Sequence, residues 1–534
     1  MTLRKSFQTA LVAFFFVAFQ SGLFAQDELK QWHTKDAADG FYGVSSEKAL
    51  ELLKGRKSSK VRVAIIDSGV DVDHEDLKKN IWVNPKEIAG NGKDDDGNGY
   101  IDDINGWNFM GNSKGVNLEH ANLEMTRIYR KLAPRFAEVK DAKSVAKDKA
   151  DYALFQEVSK KVNAKLEEAN GQYGQLSVFV PMYMNADSIA TVALGANYTL
   201  EAVAKWNTSN SDENAKAKAL LSGLMQDPSF DKASLMKYYE YLQHQVMYHY
   251  NPQFDDRAQI GDNADNTTDR LYGNGAVSAS QADHGTHVSG IVGAVRGNSL
   301  GMDGIAPNVE LMVLRAVPNG DEFDKDIANA IRYAADNGAQ IINMSFGKGY
   351  SPQLEAVHQA IRYAEEKGVL MIHAAGNDSE NIDKGANFPH PNYSFQKTPC
   401  STWITVGASA HTGDENLVGV FSNYGKKKVD VFAPGVRIWS TKPGSIYEFE
   451  DGTSMAAPVV TGVAALLKSY FPELTGVQLK ALLLSTARTY PKLKVLLPDA
   501  SYSGKKLTSL GKISATGGVV NALDAAKRAL EMYP

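Results

Sequence analysis

The sequence predicts an α/β protein: a doubly wound, mainly parallel β-sheet with helices on both faces, interrupted by one inserted, mostly α-helical unit. Three observations predict it. Short β-branched runs alternate with helical patterns, and such alternation implies crossover units and a parallel sheet covered on both sides. Between 115 and 260 the apolar residues change to helical spacing among Lys, Glu, Gln and Asn. The chain has 534 residues, too many for one domain of about 100–200, and 61–114 with 261–534 amply fill a doubly wound core.

In chain order, Arg4 and Lys5 precede an apolar run from Ala10 to Phe19, then Ser21, Gly22 and the small Ala25. That is the order of a secretory signal occupying residues 1–25, and the run is too short to span a bilayer, which takes about 20 residues. Export is therefore expected, to the periplasm or out of the cell, with no membrane span once the signal is removed. Residues 26–60 form an N-terminal segment. Val61 to Ile66 is a buried strand and opens the first part of the domain, 61–114. In the insertion, 115–260, Phe155, Val158, Val162 and Leu166 recur at helical spacing, and Asp231 to Tyr250 is a further long helix. The second part, 261–534, supplies strand runs at Glu310 to Arg315, Gln340 to Ser345, Val369 to Ala375, Trp403 to Val406 and Val429 to Phe432. Helices at Asp326 to Asn337 and Ser351 to Lys367 lie between them.

Composition excludes several classes. With 57 basic and 62 acidic side chains and a net charge of −5, the chain lacks the concentrated basic face of a nucleic-acid binder. Its one cysteine, Cys400, forms no internal disulfide and builds no Cys-rich zinc framework.

Three polar residues stand at the ends of apolar elements. Asp67 follows the first strand, and in parallel sheets chemistry gathers at the carboxyl ends of strands. His284 lies in Asp283-His284-Gly285-Thr286-His287, leading into an apolar helix whose small residues allow close packing. A zinc reading of His284 and His287 fails for want of the intervening Glu of H-E-x-x-H, so His287 reads as a packing residue. Ser454 lies in Gly452-Thr453-Ser454-Met455-Ala456-Ala457-Pro458, before an apolar helix whose free N–H groups favour a nearby negative oxygen. Pro458 fits the first turn, where N–H groups lack intrahelical partners.

The order Asp, His, Ser is that of the subtilisin triad, not of chymotrypsin or the α/β-hydrolases. With the blocks Ala64 to Leu77, Asn298 to Pro307, Asn343 to Gly347, Ala374 to Asn377, Val429 to Thr441 and Gly517 to Ala525, the chain resembles the subtilisin-like serine proteases, the subtilases. The resemblance covers the α/β stretches and none of the insertion. It implies a subtilisin-like fold and hydrolysis of peptide bonds in protein or peptide substrates through an acyl-enzyme. His284 would take the proton of Ser454 and return it to the leaving amine, with Asp67 orienting the ring. The Ser454 N–H and, by resemblance, the Asn377 amide would hold the oxyanion. Ser345-Phe346-Gly347, with Ala375 and Gly376, would bind substrate backbone and line the P1 pocket, although Phe346 is bulkier than the family's usual aliphatic residue.

Calcium is expected on separate grounds. Asp94, Asp96, Asn98, the Tyr100 carbonyl and Asp102 place oxygens at alternate residues as in an EF-hand loop, with Gly99 at the turn. Asn105 stands where the bidentate Glu belongs, with Asp103 nearby to compensate. Only the resemblance implies a second site, at Asp76 and Asn298, and Asp262, Asp265 and Asp269 read as a solvated acidic face. The reading is thus an exported, monomeric, calcium-supported serine endopeptidase without an organic cofactor or nucleic-acid partner. The rival reading is an inactive scaffold whose helical unit binds a partner protein; the intact triad and oxyanion residues argue against it. Because Asp67 and His284 are 217 residues apart, the insertion re-enters between two triad residues; two readings stay open, a unit beside the cleft that guides or restricts substrates and takes part in folding, and an outward-facing surface elaboration.

Overall fold

The computed structural model describes residues 28–139, 142–227, 229–501 and 505–534; the signal sequence read at 1–25 lies outside them. Among the described residues the chain forms two compact units, Met125–Phe254 and the segments that flank it.

The flanking segments build the α/β unit. Its strands are β1 (Val61–Asp67), β2 (Gly106–Asn108), β3 (Val309–Arg315), β4 (Ile341–Met344), β5 (Leu370–Ala374), β6 (Trp403–Ser409) and β7 (Val431–Pro434). After them come the hairpin β8 (Ile438–Lys442) and β9 (Ile446–Glu450), then the short β10 (Arg488–Thr489), β11 (Val495–Leu496), β12 (Leu507–Thr508) and β13 (Gly518–Val519). Nine of these form one sheet in the order β10-β13-β7-β6-β5-β4-β1-β3-β2. Every pairing in it is parallel except that of β10 with β13 at the edge.

Alternation along the strands makes the two faces. Val61, Val63 and Ile65, with Val309, Leu311 and Val313, face one hydrophobic cluster, whereas Ala64, Ile66, Met312 and Leu314 face another. The first cluster is covered by the helices Asp283–Gly293 and Thr453–Tyr470, the second by Asp324–Asp336 and Leu354–Glu366. The doubly wound sheet of the sequence reading is therefore present, with element ends shifted by a few residues. Strands β2, β10 and β13, of two or three residues, carry too short a pattern to be read. The N-terminal segment belongs to this core as well: Trp32, Val44 and Leu53 are buried in the first cluster, and the Trp32 indole N–H donates to the Arg437 carbonyl at 3.0 Å.

The insertion has narrower limits than its composition suggests. Leu118, Ala121 and Ile260 pack with Met110 and Phe323 inside the α/β unit, so residues 115–124 and 255–260 belong there. The helical unit is dominated by one helix of 46 residues, Lys149–Leu194, on which Phe155, Val158 and Val162 are buried and Leu166 is half-buried. Leu176, Val180 and Tyr183 meet Leu221, Leu235 and Leu242 of the helices Asp212–Met225 and Lys232–His244 in a core of their own. The helix read at Asp231 to Tyr250 ends at His244 and continues as a π-helical turn, Gln245–His249.

For the site, the decisive feature is where β1 lies. It sits between β3 and β4, so successive connections leave to opposite sides, and the carboxyl ends of β1 and β4 flank the crevice where ligands bind in open α/β sheets.

Candidate active site

Asp67 closes β1. Ile66 is in register with Met344, so Asp67 and Ser345 leave neighbouring strands side by side, about 4.8 Å apart. Asp67 is 1% exposed, and its Oδ1 accepts from the Ser68 N–H at 2.7 Å and pairs with His284 Nδ1 at 2.7 Å. The helix that carries His284 can reach so close because Gly285 is a glycine: a Cβ there would come within 2.1 Å of the Gly69 carbonyl. Burial by itself lowers the His284 pKa, but the charge and hydrogen bond of Asp67 outweigh it. Glu450 adds to that effect and Lys442 opposes it, and the ring is pushed up to about 9. One turn on, His287 is fully buried with Nε2 against the carbonyls of Ile438 (3.1 Å) and Glu448 (3.2 Å), and burial takes it down to about 4. Its ring braces the β8–β9 hairpin.

Ser454 is the second residue of the helix Thr453–Tyr470 and is half-buried. Its hydroxyl donates to the Ser345 carbonyl at 3.2 Å, while the Ser345 hydroxyl donates to the Ser454 carbonyl at 2.8 Å. Among the described residues, Ser454 Oγ has no hydrogen bond to His284. The reciprocal pair also corrects the reading of Pro458. Counted from Thr453, this proline lies beyond the first turn, and its missing N–H leaves the Ser454 carbonyl without its helical donor; Ser345 supplies the replacement.

Asn377 stands beside this turn. Its Oδ1 accepts from the N–H and the hydroxyl of Thr453, both at 2.9 Å, which leaves Nδ2 as the free donor. The Thr453 hydroxyl in turn accepts from the Gly376 N–H at 3.1 Å. Gly376 has φ +97° and no room for a side chain, since a Cβ would lie 2.4 Å from the Asn423 amide nitrogen. Neither Asn377 Nδ2 nor the Ser454 N–H has a protein partner among the described residues, so two donors converge next to the Ser454 hydroxyl. Of the residues read as substrate-binding, Ser345 and Gly347 offer backbone at this edge and Ala375 is buried beneath it. The Phe346 ring points inward instead, 9% exposed in the second cluster and edge-on to His373. Asn387, not singled out from sequence, separates the walls: its Nδ2 donates to the Ala375 carbonyl at 2.9 Å, and its Oδ1 lies 2.6 Å from where a Gly347 Cβ would be.

Sequence reasoning also passed over Arg315, the charged end of an apolar run and hence the one available signal. It is fully buried in register with Asp67 and donates to the Ser68 carbonyl (3.1 Å), Asn108 Oδ1 (3.1 Å) and the Leu118 carbonyl (2.8 Å). Burial lowers its pKa to about 10. It fixes the turn that carries Asp67.

The candidate cation loops sort differently from their spacing. Asp94 accepts from the N–H groups of Gly97, Asn98 and Gly99, and Asp102 from those of Gly90, Asn91 and Gly92. Asn98 donates to Asp103, and the Tyr100 ring packs on Trp107. Through these bonds the side chains also shape the loop. The carboxylates that do converge are Glu87, Asp96 and Asp103, with ligand oxygens within 4.8 Å of one another. Glu87 Oε2 is buried without a partner, and no Lys or Arg among the described residues pairs with any of the three. Asp76 and Asn298 do meet, at 2.7 Å, but as a hydrogen-bonded pair in which the other Asp76 oxygen accepts from Tyr447. Of the acidic face read at Asp262, Asp265 and Asp269, Asp265 is exposed, whereas Asp262 and Asp269 both hold the buried ammonium of Lys325.

The family model described as the subtilase family matches residues 58–504. A thermophilic serine proteinase of Bacillus sp. (strain AK1) is 41% identical over 188 residues, 35% of this chain and 43% of that protein. Thermitase of Thermoactinomyces vulgaris is 39% identical over 209 residues, 39% of this chain and 66% of that protein. A solved protease from Pseudoalteromonas arctica is 30% identical, with a TM-score of 0.38 over 48% of this chain and 74% of that one. The chain thus spans less than half the length of the first of these relatives.

Proposed function

The chain belongs to the subtilase family, and from that premise we propose that it is a serine endopeptidase acting on proteins or peptides through Asp67, His284 and Ser454. The observation that carries the reading is the 2.7 Å hydrogen bond between Asp67 and His284, made at the strand end that neighbours Ser345 and Ser454. Asp67 holds the Nδ1 proton, so Nε2 is the basic nitrogen. The Ser454 hydroxyl leaves the Ser345 carbonyl and passes its proton to Nε2 as Oγ attacks the scissile carbonyl; the imidazolium then protonates the leaving amine. Asn377 Nδ2 and the Ser454 N–H receive the oxyanion. Ser345–Gly347 pairs with substrate main chain, which favours tolerance of sequence. Since the Phe346 ring turns inward, the acceptable P1 side chain depends on Asn387 more than on Phe346.

The same reading includes export, for which the N-terminal pattern is the support; no helix among the described residues is long and apolar enough to cross a membrane. It also includes a structural calcium ion. Three carboxylates without a Lys or Arg partner among the described residues and a buried, partnerless Glu87 Oε2 suit a hard cation with oxygen ligands, so Glu87, Asp96 and Asp103 would hold it, with Asp94 and Asp102 shaping the loop. Bound there, calcium would neutralise the cluster and tie the loop down.

Labelling by a fluorophosphonate probe tests the assignment. Wild type should label and the Ser454→Ala variant should not. Persistent labelling of the variant, or an active wild type that never labels, would refute it.

A further inference from the structure

Glu124 is the first residue of the helix Glu124–Phe136, by which the chain leaves the α/β unit, and it re-enters at Asp255. Both attachment points are tied by buried charges to the first turn of the helix Asp324–Asp336. At the return, Arg257 pairs with Asp326 and lies 3.3 Å from Asp262. At the exit, Lys348 Nζ meets the carboxylates of Glu124 at 2.7 Å and Asp324 at 2.8 Å and donates to the Glu322 carbonyl at 2.8 Å. The Lys348, Glu124 and Asp324 side chains are 2%, 8% and 3% exposed. A buried ion pair adds little net stability over apolar packing, so stability alone does not explain the arrangement. What it does provide is a fixed geometry.

Lys348 directly follows Gly347. Its backbone N–H and carbonyl pair with Phe388 at 3.0 and 2.9 Å, and Gly347 has no room for a side chain beside Asn387. At the other end, Ser345 exchanges hydrogen bonds with Ser454. Four consecutive residues, Ser345 to Lys348, therefore run from the nucleophile's partner to the ammonium that holds Glu124. We infer that Lys348 is a positioning residue that anchors the segment Ser345–Gly347 to Glu124 and Asp324, so that loss of this ion pair is felt as a change in substrate binding. The inference rests on the proposed role of Ser345–Gly347 in pairing with substrate.

Lys348→Met, Glu124→Gln and the double variant, each as the full chain, decide it. Three readouts are compared with wild type: labelling of Ser454 by a small fluorophosphonate, hydrolysis of a single-residue ester, and hydrolysis of a peptide with four residues before the scissile bond. Labelling and ester hydrolysis should stay within about twofold of wild type, because neither substrate has residues before P1 whose main chain could pair with the extended segment. The peptide KM should rise about tenfold in each single variant, and the double variant should be no worse, since the two residues act as one unit. Lys348→Arg should recover most of the loss. An unchanged peptide KM, equal losses on ester and peptide, or additive penalties would overturn the inference. Should Lys348→Met fail to fold, Glu124→Gln decides alone, because it leaves the ammonium its Asp324 and Glu322 partners; a wild-type KM there is a refutation. A wild type that does not label would instead strike the endopeptidase reading on which the inference stands.

Discussion

At Asn377 the amide oxygen is engaged twice by Thr453, so only Nδ2 is left to serve an oxyanion. Asn377→Ala should therefore lower kcat with little change in KM. The expected loss is about 10²–10³-fold, a magnitude established on a subtilisin and adopted here; a kcat within threefold of wild type would count against the role. On the proposed mechanism His284 sets the pH dependence. Raised to about 9, the ring is protonated at neutral pH, and a protonated ring cannot accept the serine proton. The kcat/KM profile should accordingly climb through the alkaline range, reach half its plateau near pH 9 and level off about one pH unit above. Asp67→Asn removes the charge that raises the ring, so its residual activity, lower by about 10⁴-fold, should show its ascending limb at lower pH. An identical limb in both enzymes would contradict this. Stability runs the other way at His33, His287 and His373, which burial lowers to about 3, 4 and 3. The unfolded chain, with histidine near 6.5, binds more protons than the folded one. Stability should therefore fall as pH drops from about 6.5 toward 4, by at most about 1.4 kcal/mol per pH unit for each buried ring. Urea midpoints that hold constant between pH 7 and 5 would rule this out.

Among the elements, the helix that carries Ser454 shows how a local defect became a fastening. Pro458 frees a carbonyl, and Ser345 covers it from the end of β4. Ser345→Ala leaves that buried acceptor unmet and should cost about 1–3 kcal/mol, read as a drop of several degrees in Tm; an unchanged Tm would mean water takes over the bond. The strands around it were legible because alternate positions face two separate apolar clusters, so both faces of each run are hydrophobic and β-branched. Asp67, His284 and Ser454 stood out for a related reason: each is a polar residue at the end of an apolar element, Asp67 after a strand and the other two at the start of a helix. Arg315, Thr453 and Lys348 were not, since their partners, Ser68, Asn377 and Glu124, are distant in sequence and only the fold brings them together. In the Asp94 to Asp102 loop the period alone does not choose between turn capping and ion binding, because side chains at alternate residues can as easily cap their own turn as converge on an ion. The carboxylates that converge draw on Glu87, outside the motif. Chelation should therefore lower Tm while leaving initial rates in a short, cold assay nearly unchanged. A hundredfold excess of calcium over Kd corresponds to about 2.7 kcal/mol, and Glu87→Gln should abolish the calcium dependence of Tm. A chelator that stops turnover at once would point to a metal acting in the reaction itself.

For the whole molecule, the question is what the helical unit contributes. Its core of Leu176, Val180, Tyr183, Leu221 and Leu242 is separate from the two clusters of the sheet. The chain leaves and re-enters the α/β unit at one place, where the Asn122 N–H donates to Asp256 at 3.0 Å. Two neighbouring ends and independent cores mean that 125–254 can be exchanged for a short Gly/Ser linker without opening the sheet. The cut must spare Leu118, Ala121 and Ile260, which belong to the α/β core; a deletion of 115–260, drawn from composition alone, would remove the fully buried Leu118 and unfold what it is meant to isolate. The shortened chain should fold and label with fluorophosphonate. If the helical unit restricts access, the ratio of casein cleavage to small-peptide cleavage should rise in the shortened enzyme, because large substrates gain more than small ones. An unchanged ratio in a folded variant would assign the helical unit no part in selecting substrates. A shortened chain that refolds only when the separate 125–254 unit is added would give that unit a part in folding instead.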